Sequence, residues 1–341
     1  MDRQLVLVTG SSGFIGTNMV KYLLDRGYAV IALDLKEPQY VCPGYRYTDT
    51  GQDLGVDADI WIVKGDVRDV ELLRKLFELT ISYVIHLAAV STIQMGAEDD
   101  ARTMSINVGG TEALLNAVKE CGKVKGFLYA STDKVYGKLQ AKSYTEEDGL
   151  VPLESPYDIS KAKADQLVRK WCADYGIHGI VLRFCNIYGK YDRQATRIIP
   201  ATIKALLERR ECVLRMYRDA EGKKRNFMRE FLYVDDLCET MGNVIGRMEL
   251  WNQDREKRNA KWGEAFNLGA RRSYPMDEVI WKIQGIMGRE ETPRIEMAEA
   301  LAEIPEQKMD YTKAKECFGF MPRTSLEEGL RETAVWWQGQ I

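Results

Sequence analysis

The feature that most constrains the fold is a glycine-rich turn near the start of the chain, directly after a short apolar run. Residues 5–8 are leucine and valine, a composition that predicts a buried strand. Gly10, Gly13 and Gly16 follow at intervals of three residues. The first two lack a Cβ, which permits a tight turn and lets backbone N–H groups approach a pyrophosphate, and the third lets a helix pack against the strand.

The residues after this turn complete a strand–helix–strand unit. Apolar residues recur at helical spacing from Phe14 to Leu24, and the pattern stops near Gly27. Residues 28–33 predict a second strand, which ends in Asp34. A carboxylate about 20 residues after the glycines binds the ribose hydroxyls of a dinucleotide and repels a 2′-phosphate, so it favours NAD over NADP. An ordinary βα turn is the alternative interpretation.

Composition limits the partners and the compartment. The net charge of −3 creates no basic field for nucleic acid or an anionic membrane. The seven cysteines are odd in number and form no CxxC pair, which favours reduced thiols over disulfides or a zinc site. We expect no signal peptide, because the first four residues lead directly into the predicted strand, and no transmembrane helix. We therefore predict a cytoplasmic protein without metal, nucleic-acid or membrane partners.

Predicted strands and helices alternate through the first half of the 341 residues, which indicates an α/β fold with a Rossmann-type, doubly wound parallel sheet. We predict a dinucleotide-binding domain over 1–190, to which 231–250 returns. A smaller C-terminal α/β lobe for the substrate is predicted over 191–230 and 251–341. The other predicted helices are 69–79, 99–121, 156–175 and 198–209, and the other predicted strands are 60–63, 82–90, 127–131 and 177–184.

Three stretches do not follow this alternation. Residues 36–59 are polar and long for a connection, and they form either an excursion beside the adenosine end of the cofactor site or a plain surface insertion. Residues 215–230 predict a basic loop, which either binds a diphosphate or is simply solvated. Residues 252–262 predict a charged linker.

Candidate acid–base residues lie on the helix predicted from residue 156. Ser155 at the N-cap, Pro156 at the first position and Asp158 at the third are typical of a helix start. Tyr157 and Lys161 are four residues apart, so they lie on one face. A nearby ammonium favours the tyrosine phenolate, which can take a proton from a sugar hydroxyl while NAD⁺ takes the hydride from the same carbon. The spacing alone also fits an exposed helical pair.

With these motifs the chain resembles the extended short-chain dehydrogenase/reductase family, in its NAD-dependent nucleotide-sugar epimerase/dehydratase branch. The resemblance covers nearly the whole length, and it implies that His86 is structural. It rests on TGSSGFIG at 9–16, Asp34, Gly65-Asp66-Val67, His86-Leu87-Ala88-Ala89, Asn107, residues 131–137, Tyr157 with Lys161, Asn186 with Tyr188-Gly189, and REFLYVDD at 229–236.

The resemblance implies NAD as cofactor, a nucleotide-sugar as substrate and a homodimer. Helices 99–121 and 156–175 would pair in a four-helix interface, although core packing also explains their apolar residues. The implied cofactor-binding residues are Gly10, Ser12, Gly13, Phe14, Ile15, Gly16, Asp34, Asp66, Val67, Leu87, Ala88, Ala89, Asn107, Tyr157 and Lys161. The implied substrate-binding residues are Ser91, Thr132, Asn186, Arg197 and Arg229.

The triplet Thr132-Asp133-Lys134 resembles the Thr-Asp-Glu or Thr-Asp-Lys of sugar 4,6-dehydratases more than the corresponding stretch of epimerases. Once C4 is oxidised the C5 proton becomes acidic, so a base must remove it and an acid must protonate the departing C6 hydroxyl. We predict Asp133 as the acid, Lys134 as the base, and Thr132 as a hydrogen-bond partner of O4. A surface ion pair between Asp133 and Lys134 is the alternative.

The predicted function is therefore an NAD-dependent nucleotide-sugar 4,6-dehydratase. A 4-epimerase or decarboxylase of the same family would not need Lys134, and a non-catalytic NAD-binding sensor would not need Tyr157 and Lys161. The nucleotide base stays open, because residues 191–200 resemble CDP-sugar relatives whereas residues 229–236 resemble dTDP-, UDP- and GDP-sugar members.

Overall fold

The computed structural model describes residues 3–38, 44–49, 58–91, 93–254, 260–289, 293–297 and 303–340. The chain divides into two compact units. The first unit comprises Met1–Val135, Ser155–Arg183 and Cys238–Phe266, and the second comprises Tyr136–Glu154, Phe184–Leu237 and Asn267–Ile341. Unlike the predicted domains, these units assign 136–154, 184–190 and 231–237 to the second unit and 251–266 to the first. The boundaries of a cofactor-binding domain and a substrate-binding lobe therefore remain a prediction.

Strands and helices alternate as expected through the first part of the chain. The elements up to residue 184 are β1 Leu5–Thr9, α1 Phe14–Asp25, β2 Ala29–Asp34, β3 Tyr47–Asp49, β4 Ile60–Lys64, α2 Val70–Leu76, β5 Ile81–His86, α3 Ile93–Glu98, α4 Asp100–Met104, α5 Gly110–Cys121, β6 Gly126–Thr132, α6 Pro156–Tyr175 and β7 Gly179–Phe184. The later elements are β8 Asn186–Tyr188, α7 Ile198–Leu207, β9 Val213–Arg218, β10 Lys224–Asn226, β11 Met228–Tyr233, α8 Val234–Gln253, β12 Ala265–Leu268, β13 Ser273–Pro275, α9 Met276–Met287, β14 Arg294–Met297, α10 Thr312–Phe318 and α11 Leu326–Gln338.

The main sheet has the strand order β12-β7-β6-β5-β1-β2-β4-β3. The pairs from β3 through to β6 are all parallel. β1 lies between β2 and β5, so the strand order reverses at β1, as in a doubly wound sheet. Ligands of such sheets bind beside the carboxyl ends of the strands at this reversal. The predicted fold class is confirmed.

The core of the first unit follows from the apolar runs in the sequence. Leu7, Ile31, Val84 and Phe127, on four neighbouring strands, are all 0% exposed. Strands of a parallel sheet covered by helices on both faces are buried on both faces, so they read as continuous apolar runs. This is why residues 5–8 were recognisable as a strand.

Three predicted elements of this unit differ from the structure. The helix over 99–121 is interrupted, because Ser105–Gly109 form a π-helical turn between α4 and α5. The strand predicted over 82–90 ends at His86. Within the predicted connection 36–59, β3 pairs with β4 at the edge of the sheet. Residues 39–43 and 50–57 of that connection lie outside the described residues.

The second unit contains two smaller sheets, with the orders β10-β9-β14 and β13-β11-β8. β9 and β10 form an antiparallel hairpin, so the prediction of a basic loop over 215–230 is wrong. The high content of basic residues made this segment resemble a loop. One of these residues, Arg225, stabilises the hairpin through an ion pair with Asp219 at 2.7 Å. The predicted linker 252–262 begins inside α8, and its residues 255–259 are not described.

Candidate active site

The glycine turn lies between β1 and α1, and two of its glycines have no room for a side chain. Gly10 has a φ of +69°, and a Cβ there would lie 2.7 Å from the backbone nitrogen of Ala88. A Cβ on Gly16 would lie 2.1 Å from the carbonyl oxygen of Gly10. Gly13 is less tightly enclosed, at 3.2 Å from the same oxygen. The turn is thus packed against both the sheet and its own helix, and Phe14 and Ile15 begin α1.

Asp34, at the end of β2, is fixed beside this turn. Its Oδ2 accepts a hydrogen bond from the backbone N–H of Ser12 at 3.0 Å, and its Oδ1 accepts one from the N–H of Lys36 at 3.0 Å. The Ser12 hydroxyl donates to the Lys36 carbonyl at 2.8 Å. Each carboxylate oxygen keeps capacity for another donor. A glycine turn next to an oriented carboxylate fits the pyrophosphate and ribose hydroxyls of NAD.

Asp66 and Val67 follow β4, and both are held by residues that the sequence analysis did not single out. Arg68 binds both oxygens of Asp66, through Nε at 3.0 Å and Nη2 at 2.6 Å, and this pairing lowers the pKa of Asp66. A Cβ on Gly110 would lie 2.7 Å from Cγ2 of Val67, so the start of α5 packs closely on this residue. Asp66 therefore stays charged at neutral pH.

The residues 87–89 follow β5, and the backbone there is tied to a buried histidine. The Ala88 N–H donates to the Thr9 hydroxyl at 3.3 Å, and that hydroxyl lies 2.7 Å from Nδ1 of His86. Nε2 of His86 lies 3.0 Å from the Thr111 hydroxyl. Burial lowers the pKa of His86 to about 3, so the ring is neutral. His86 holds the strand end in place, in agreement with the structural role expected for it.

Asn107 lies inside the π-helical turn, a feature often found at functional sites. Its Oδ1 accepts a hydrogen bond from the Val90 N–H at 2.7 Å. Its Nδ2 donates to the Val90 carbonyl at 3.2 Å and to the Ser160 hydroxyl at 2.8 Å. Asn107 therefore joins the loop after β5 to the helix that carries Tyr157. Ser91, a predicted substrate residue, is exposed on that loop.

Helix α6 presents Tyr157 and Lys161. The helix begins as predicted, since the Ser155 hydroxyl accepts the Asp158 N–H at 3.1 Å. Lys161 is only 5% exposed, and its ammonium donates to the Tyr129 hydroxyl at 2.9 Å and to a carbonyl of β6. Burial lowers the pKa of Lys161 to about 7. Lys161 is therefore held by the sheet, and its charge is sensitive to pH near neutrality.

Thr132 is the last residue of β6, and Asp133 and Lys134 begin the 3₁₀ turn Asp133–Tyr136 that follows it. The Thr132 hydroxyl donates to Asp133 Oδ1 at 3.1 Å and accepts the Lys134 N–H at 3.3 Å. Thr132 is 8% and Asp133 2% exposed, and Lys134 is half-buried. Asp133 is therefore buried and does not lie on the surface, where the alternative of an ion pair with Lys134 places it.

A buried ion pair lies behind this turn. Asp165 on α6 accepts hydrogen bonds from Arg183 on β7 at 2.9 and 2.8 Å, and both residues are 0% exposed. The Ser131 hydroxyl, next to Thr132, donates to the same carboxylate at 2.7 Å. The ion pair and the Ser131 hydrogen bond thus tie β6 and β7 to α6.

Two further residues around Tyr157, Gly96 and Asp158, were not predicted as site residues from the sequence. A Cβ on Gly96 would lie 3.1 Å from both the Cβ and the backbone nitrogen of Tyr157, so α3 packs directly on this tyrosine. Asp158, interpreted only as part of a helix start, is 0% exposed. Its place beside Tyr157 is visible in the sequence, but its burial depends on the packing of α6.

In the second unit, two predicted substrate residues bind neighbouring groups. Arg229 is 5% exposed, and its Nη2 pairs with Glu303 at 2.8 Å. Its Nη1 donates to the Met228 and Pro305 carbonyls at 3.0 and 3.2 Å. The Asn186 side chain donates to a carbonyl of β11 at 3.1 Å. The Arg229 guanidinium is thus bound by one carboxylate and two backbone carbonyls.

Arg197 lies at the N-cap of α7 in the same unit and pairs with Asp192 at 3.2 Å. Asp192 is 2% exposed, and burial raises its pKa. Tyr191, just before it, has a positive φ of 70°. Positive φ is uncommon for residues other than glycine, so this loop has a specific conformation.

A parallel doubly wound sheet with a glycine turn and an acid at the end of β2 defines a dinucleotide-binding α/β protein. The chain belongs to the NAD dependent epimerase/dehydratase family, whose sequence profile matches residues 6–269. This confirms the resemblance and the expected cofactor, NAD.

Relatives with two different activities are similar to the chain. The low-salt glycan biosynthesis protein Agl12 of Haloferax volcanii is 31% identical over 98% of each chain. A dTDP-glucose 4,6-dehydratase of Xanthomonas campestris is 30% identical over 97% of this chain and 92% of its own. The structure of a UDP-glucose 4-epimerase from Thermotoga maritima with UDP-glucose superposes with a TM-score of 0.81, at 26% identity over 99% of each chain. The family is therefore defined, and both activities occur within it.

The described residues contain neither a metal-binding cluster nor a helix that could span a membrane. No group of three or more His, Cys, Asp or Glu among them is arranged to hold a metal ion. None of their helices combines the length and apolar character needed to cross a bilayer.

Proposed function

We propose that the protein is an NAD-dependent nucleotide-sugar 4,6-dehydratase that forms a 4-keto-6-deoxyhexose nucleotide. The observation that carries the proposal is the triplet Thr132-Asp133-Lys134 at the end of β6, the strand that also binds Lys161. Thr132 and Asp133 are buried, and Lys134 is half-buried. An acid and an amine on one turn supply the two groups that an elimination needs and that a 4-epimerase does not.

Each residue has one task in this reaction. Tyr157 takes the proton of the C4 hydroxyl, and Thr132 binds O4. The glycine turn and Asp34 would hold NAD, which would supply the acceptor for the C4 hydride and the donor of that hydride to C6. Lys134 takes the C5 proton, which the C4 ketone has made acidic, and Asp133 gives a proton to the C6 hydroxyl, which leaves as water.

The electrostatics of Lys161 support the role of Tyr157. The Lys161 ammonium can stabilise a phenolate, and burial lowers its pKa to about 7. Below that pH the lysine is charged and stabilises the phenolate best. The tyrosine itself becomes ionised more readily as pH rises, so we expect a bell-shaped dependence of the first step on pH.

A 4-epimerase or decarboxylase of the same family is the second candidate function. The similarity to a UDP-glucose 4-epimerase favours it. Such an enzyme would use Tyr157 and Lys161 and would leave Lys134 without a task. Ser91, Asn186, Arg197 and Arg229 as substrate contacts, the homodimer and the cytoplasmic location stay predictions under either function.

The experiment compares Lys134→Ala, Tyr157→Phe and the wild type with CDP-, dTDP-, UDP- and GDP-hexoses, using mass spectrometry to detect loss of water. The wild type should dehydrate one of them. Lys134→Ala should still exchange the C4 hydride but lose at least about 100-fold in dehydration, the usual contribution of a general base. Tyr157→Phe should lose both reactions.

Lys138→Ala, which removes an exposed amine four residues further along, is the matched control and should be fully active. Full dehydration by Lys134→Ala would exclude it as the base. A wild type that inverts C4 without losing water would instead establish the epimerase.

A further inference from the structure

The ammonium of Lys161 is buried beside the hydroxyl of Tyr129 on β6. Lys161 is 5% and Tyr129 2% exposed, and the ammonium nitrogen lies 2.9 Å from the hydroxyl oxygen and 4.4 Å from the ring centroid. The ammonium also donates to the Ala130 carbonyl. Both of these acceptors are uncharged, whereas the buried guanidinium of Arg183 is bound by a carboxylate. Lys161 therefore depends on neutral oxygens to stay charged inside the protein.

Buried hydrogen bonds fix the direction of the Tyr129 O–H. Tyr129 is hydrogen-bonded to the side chain of Thr111 on α5. The Thr111 hydroxyl donates its own proton to the Asn107 carbonyl at 2.6 Å, and its oxygen lies 3.0 Å from Nε2 of His86. A hydroxyl has one proton and two lone pairs, so the Thr111 oxygen accepts from both Tyr129 and His86. The Tyr129 proton thus goes to Thr111, and a lone pair of the phenol oxygen faces Lys161.

An oxygen that can only accept favours the charged form of Lys161. Burial raises the pKa of Tyr129 well above its usual range, so the phenol stays neutral and accepts from the ammonium. This hydrogen bond opposes burial, which lowers the pKa of Lys161 to about 7. The other titratable groups around Lys161 are His86 on β5, which is neutral, and Tyr157 and Asp165 on α6, of which Asp165 raises the pKa of the lysine and is itself paired with Arg183.

Core packing alone does not require the Tyr129 hydroxyl. Phe127, two residues earlier on β6, packs on the same histidine with a plain phenyl ring. The ring centroids of Phe127 and Tyr129 lie 6.2 and 5.7 Å from that of His86. A buried hydroxyl is unfavourable unless its hydrogen bonds are made, and here one of them is made to Lys161.

We propose that Tyr129 is a positioning residue for the first step of the reaction, because its hydroxyl holds the Lys161 ammonium on β6 and keeps it charged for the Tyr157 phenolate. The inference rests on the proposed function, and it applies equally to a 4-epimerase, which would also use Tyr157 and Lys161. An ammonium has three N–H donors, so the bonds to Tyr129 and Ala130 leave one for the phenolate. Tyr129 acts through Lys161 and has no need to touch the sugar.

The first test is the pH dependence of C4 oxidation in Tyr129→Phe, with Tyr83→Phe as the matched control. Tyr83, on the neighbouring strand β5, is 0% exposed, and its hydroxyl donates to Glu249 instead. The reaction is a single turnover with CDP-, dTDP-, UDP- and GDP-hexoses in turn, followed through the absorbance of the reduced nicotinamide.

The loss in Tyr129→Phe should grow as pH rises. Removing one hydrogen bond to a charged group should lower the pKa of Lys161 by about one unit. The lysine is then charged in both proteins at pH 5, where the rates should agree within about twofold, and the variant should be about tenfold slower at pH 8. The sugar concentration that gives half the maximal rate should change less than about twofold. An equal loss at every pH, or the same pH-dependent loss in Tyr83→Phe, overturns the inference.

The second test needs no activity. NMR titration of protein labelled with ¹³C at the lysine Cε follows the protonation of each amine, and the signal that is missing in Lys161→Met belongs to Lys161. Its midpoint should be about one unit lower in Tyr129→Phe than in the wild type, and unchanged in Tyr83→Phe. Thr111→Val serves if Tyr129→Phe does not fold. It removes the acceptor of the Tyr129 proton, so the hydroxyl can donate to the neutral amine and the midpoint should again fall, whereas Thr111→Ser should leave it in place.

The two tests separate the inference from the proposed function. An unchanged midpoint in Tyr129→Phe, or in Thr111→Val where that variant is used, overturns the inference whatever the activity. If the midpoint falls but no hexose nucleotide is oxidised, the hydrogen bond between Tyr129 and Lys161 stands, and its part in the reaction fails with the proposed function.

Discussion

The first turn and the middle of α6 each bury an aspartate completely, yet the two environments are opposite. Asp165 is held by two hydrogen bonds from Arg183 and one from Ser131. Asp158, two turns earlier, has no comparable partner. Both side chains are 0% exposed, so burial does not distinguish them. The difference lies in charge compensation, which allows one carboxylate to be structural and leaves the other able to hold a proton.

The largest loss of stability is expected when the buried ion pair of Asp165 and Arg183 is broken. Asp165→Asn leaves the Arg183 guanidinium charged and buried without its carboxylate. Removing one partner of a buried pair typically costs about 3–5 kcal/mol, so the variant should lose about that much free energy of unfolding. Urea denaturation at pH 7 measures the loss.

The double variant Asp165→Leu with Arg183→Met distinguishes the contribution of the ion pair from that of side-chain packing. It removes both charges, so it should be more stable than Asp165→Asn. A cost below about 1 kcal/mol for the single variant would mean that water reaches Arg183, and the contrast with Asp158 would then fail.

At Asp158, which has no such ion pair, the contribution to stability should instead depend on pH. The pKa of Asp158 is raised to about 7 in the folded protein from an ordinary value of 3.8, so the folded state binds the proton more tightly than the unfolded state. Its contribution to stability is present below pH 4 and is lost as pH rises through 7. The loss is at most about 4 kcal/mol, from 1.36 kcal/mol per pKa unit.

Asp158→Asn cannot ionise, so it should escape this loss. Relative to the wild type, its melting temperature should rise between pH 5 and pH 8, even if its buried amide lowers stability by a constant amount. Asp100→Asn, which changes an exposed acid in the first turn of α4, should show no such trend. A constant difference between Asp158→Asn and the wild type at both pH values would mean that Asp158 is already compensated.

The parts of this fold that could be predicted are determined by residues that lie close together in the sequence. The glycine turn, the strand ending in Asp34 and the start of α6 at Ser155 are set by local backbone preferences, and the structure contains all three. The interruption at 105–109 and the hairpin within 215–230 were missed, because packing and strand pairing produce them. Asp165 and Arg183 are 18 residues apart, so they meet only because α6 packs on the sheet.

The candidate site was predictable to a similar extent. Tyr157, Lys161 and the triplet 132–134 carry recognisable motifs because the proposed chemistry needs those residue types. The burial of Asp158 and the close approach of Gly96 to Tyr157 have no such signal, since an acid or a glycine at either position is ordinary in a helix. Their importance depends on which elements pack against them, and a single sequence does not contain that information.

The smallest effect is expected from the third aspartate of α6. Asp174 pairs with Lys170 one turn earlier, but its side chain is 42% exposed and that of Lys170 is 70% exposed. Water and salt screen such a pair, and holding two long side chains together costs entropy, so Asp174→Asn should leave the urea midpoint unchanged within error, at low and high salt alike. The three variants then form a series on one helix. Asp165 is buried with a charged partner, Asp158 is buried without one, and Asp174 is exposed with one. A loss for Asp174→Asn as large as that for Asp165→Asn would show that helix charge, and not the buried partner, governs the series, and the contrast between Asp158 and Asp165 would need another cause.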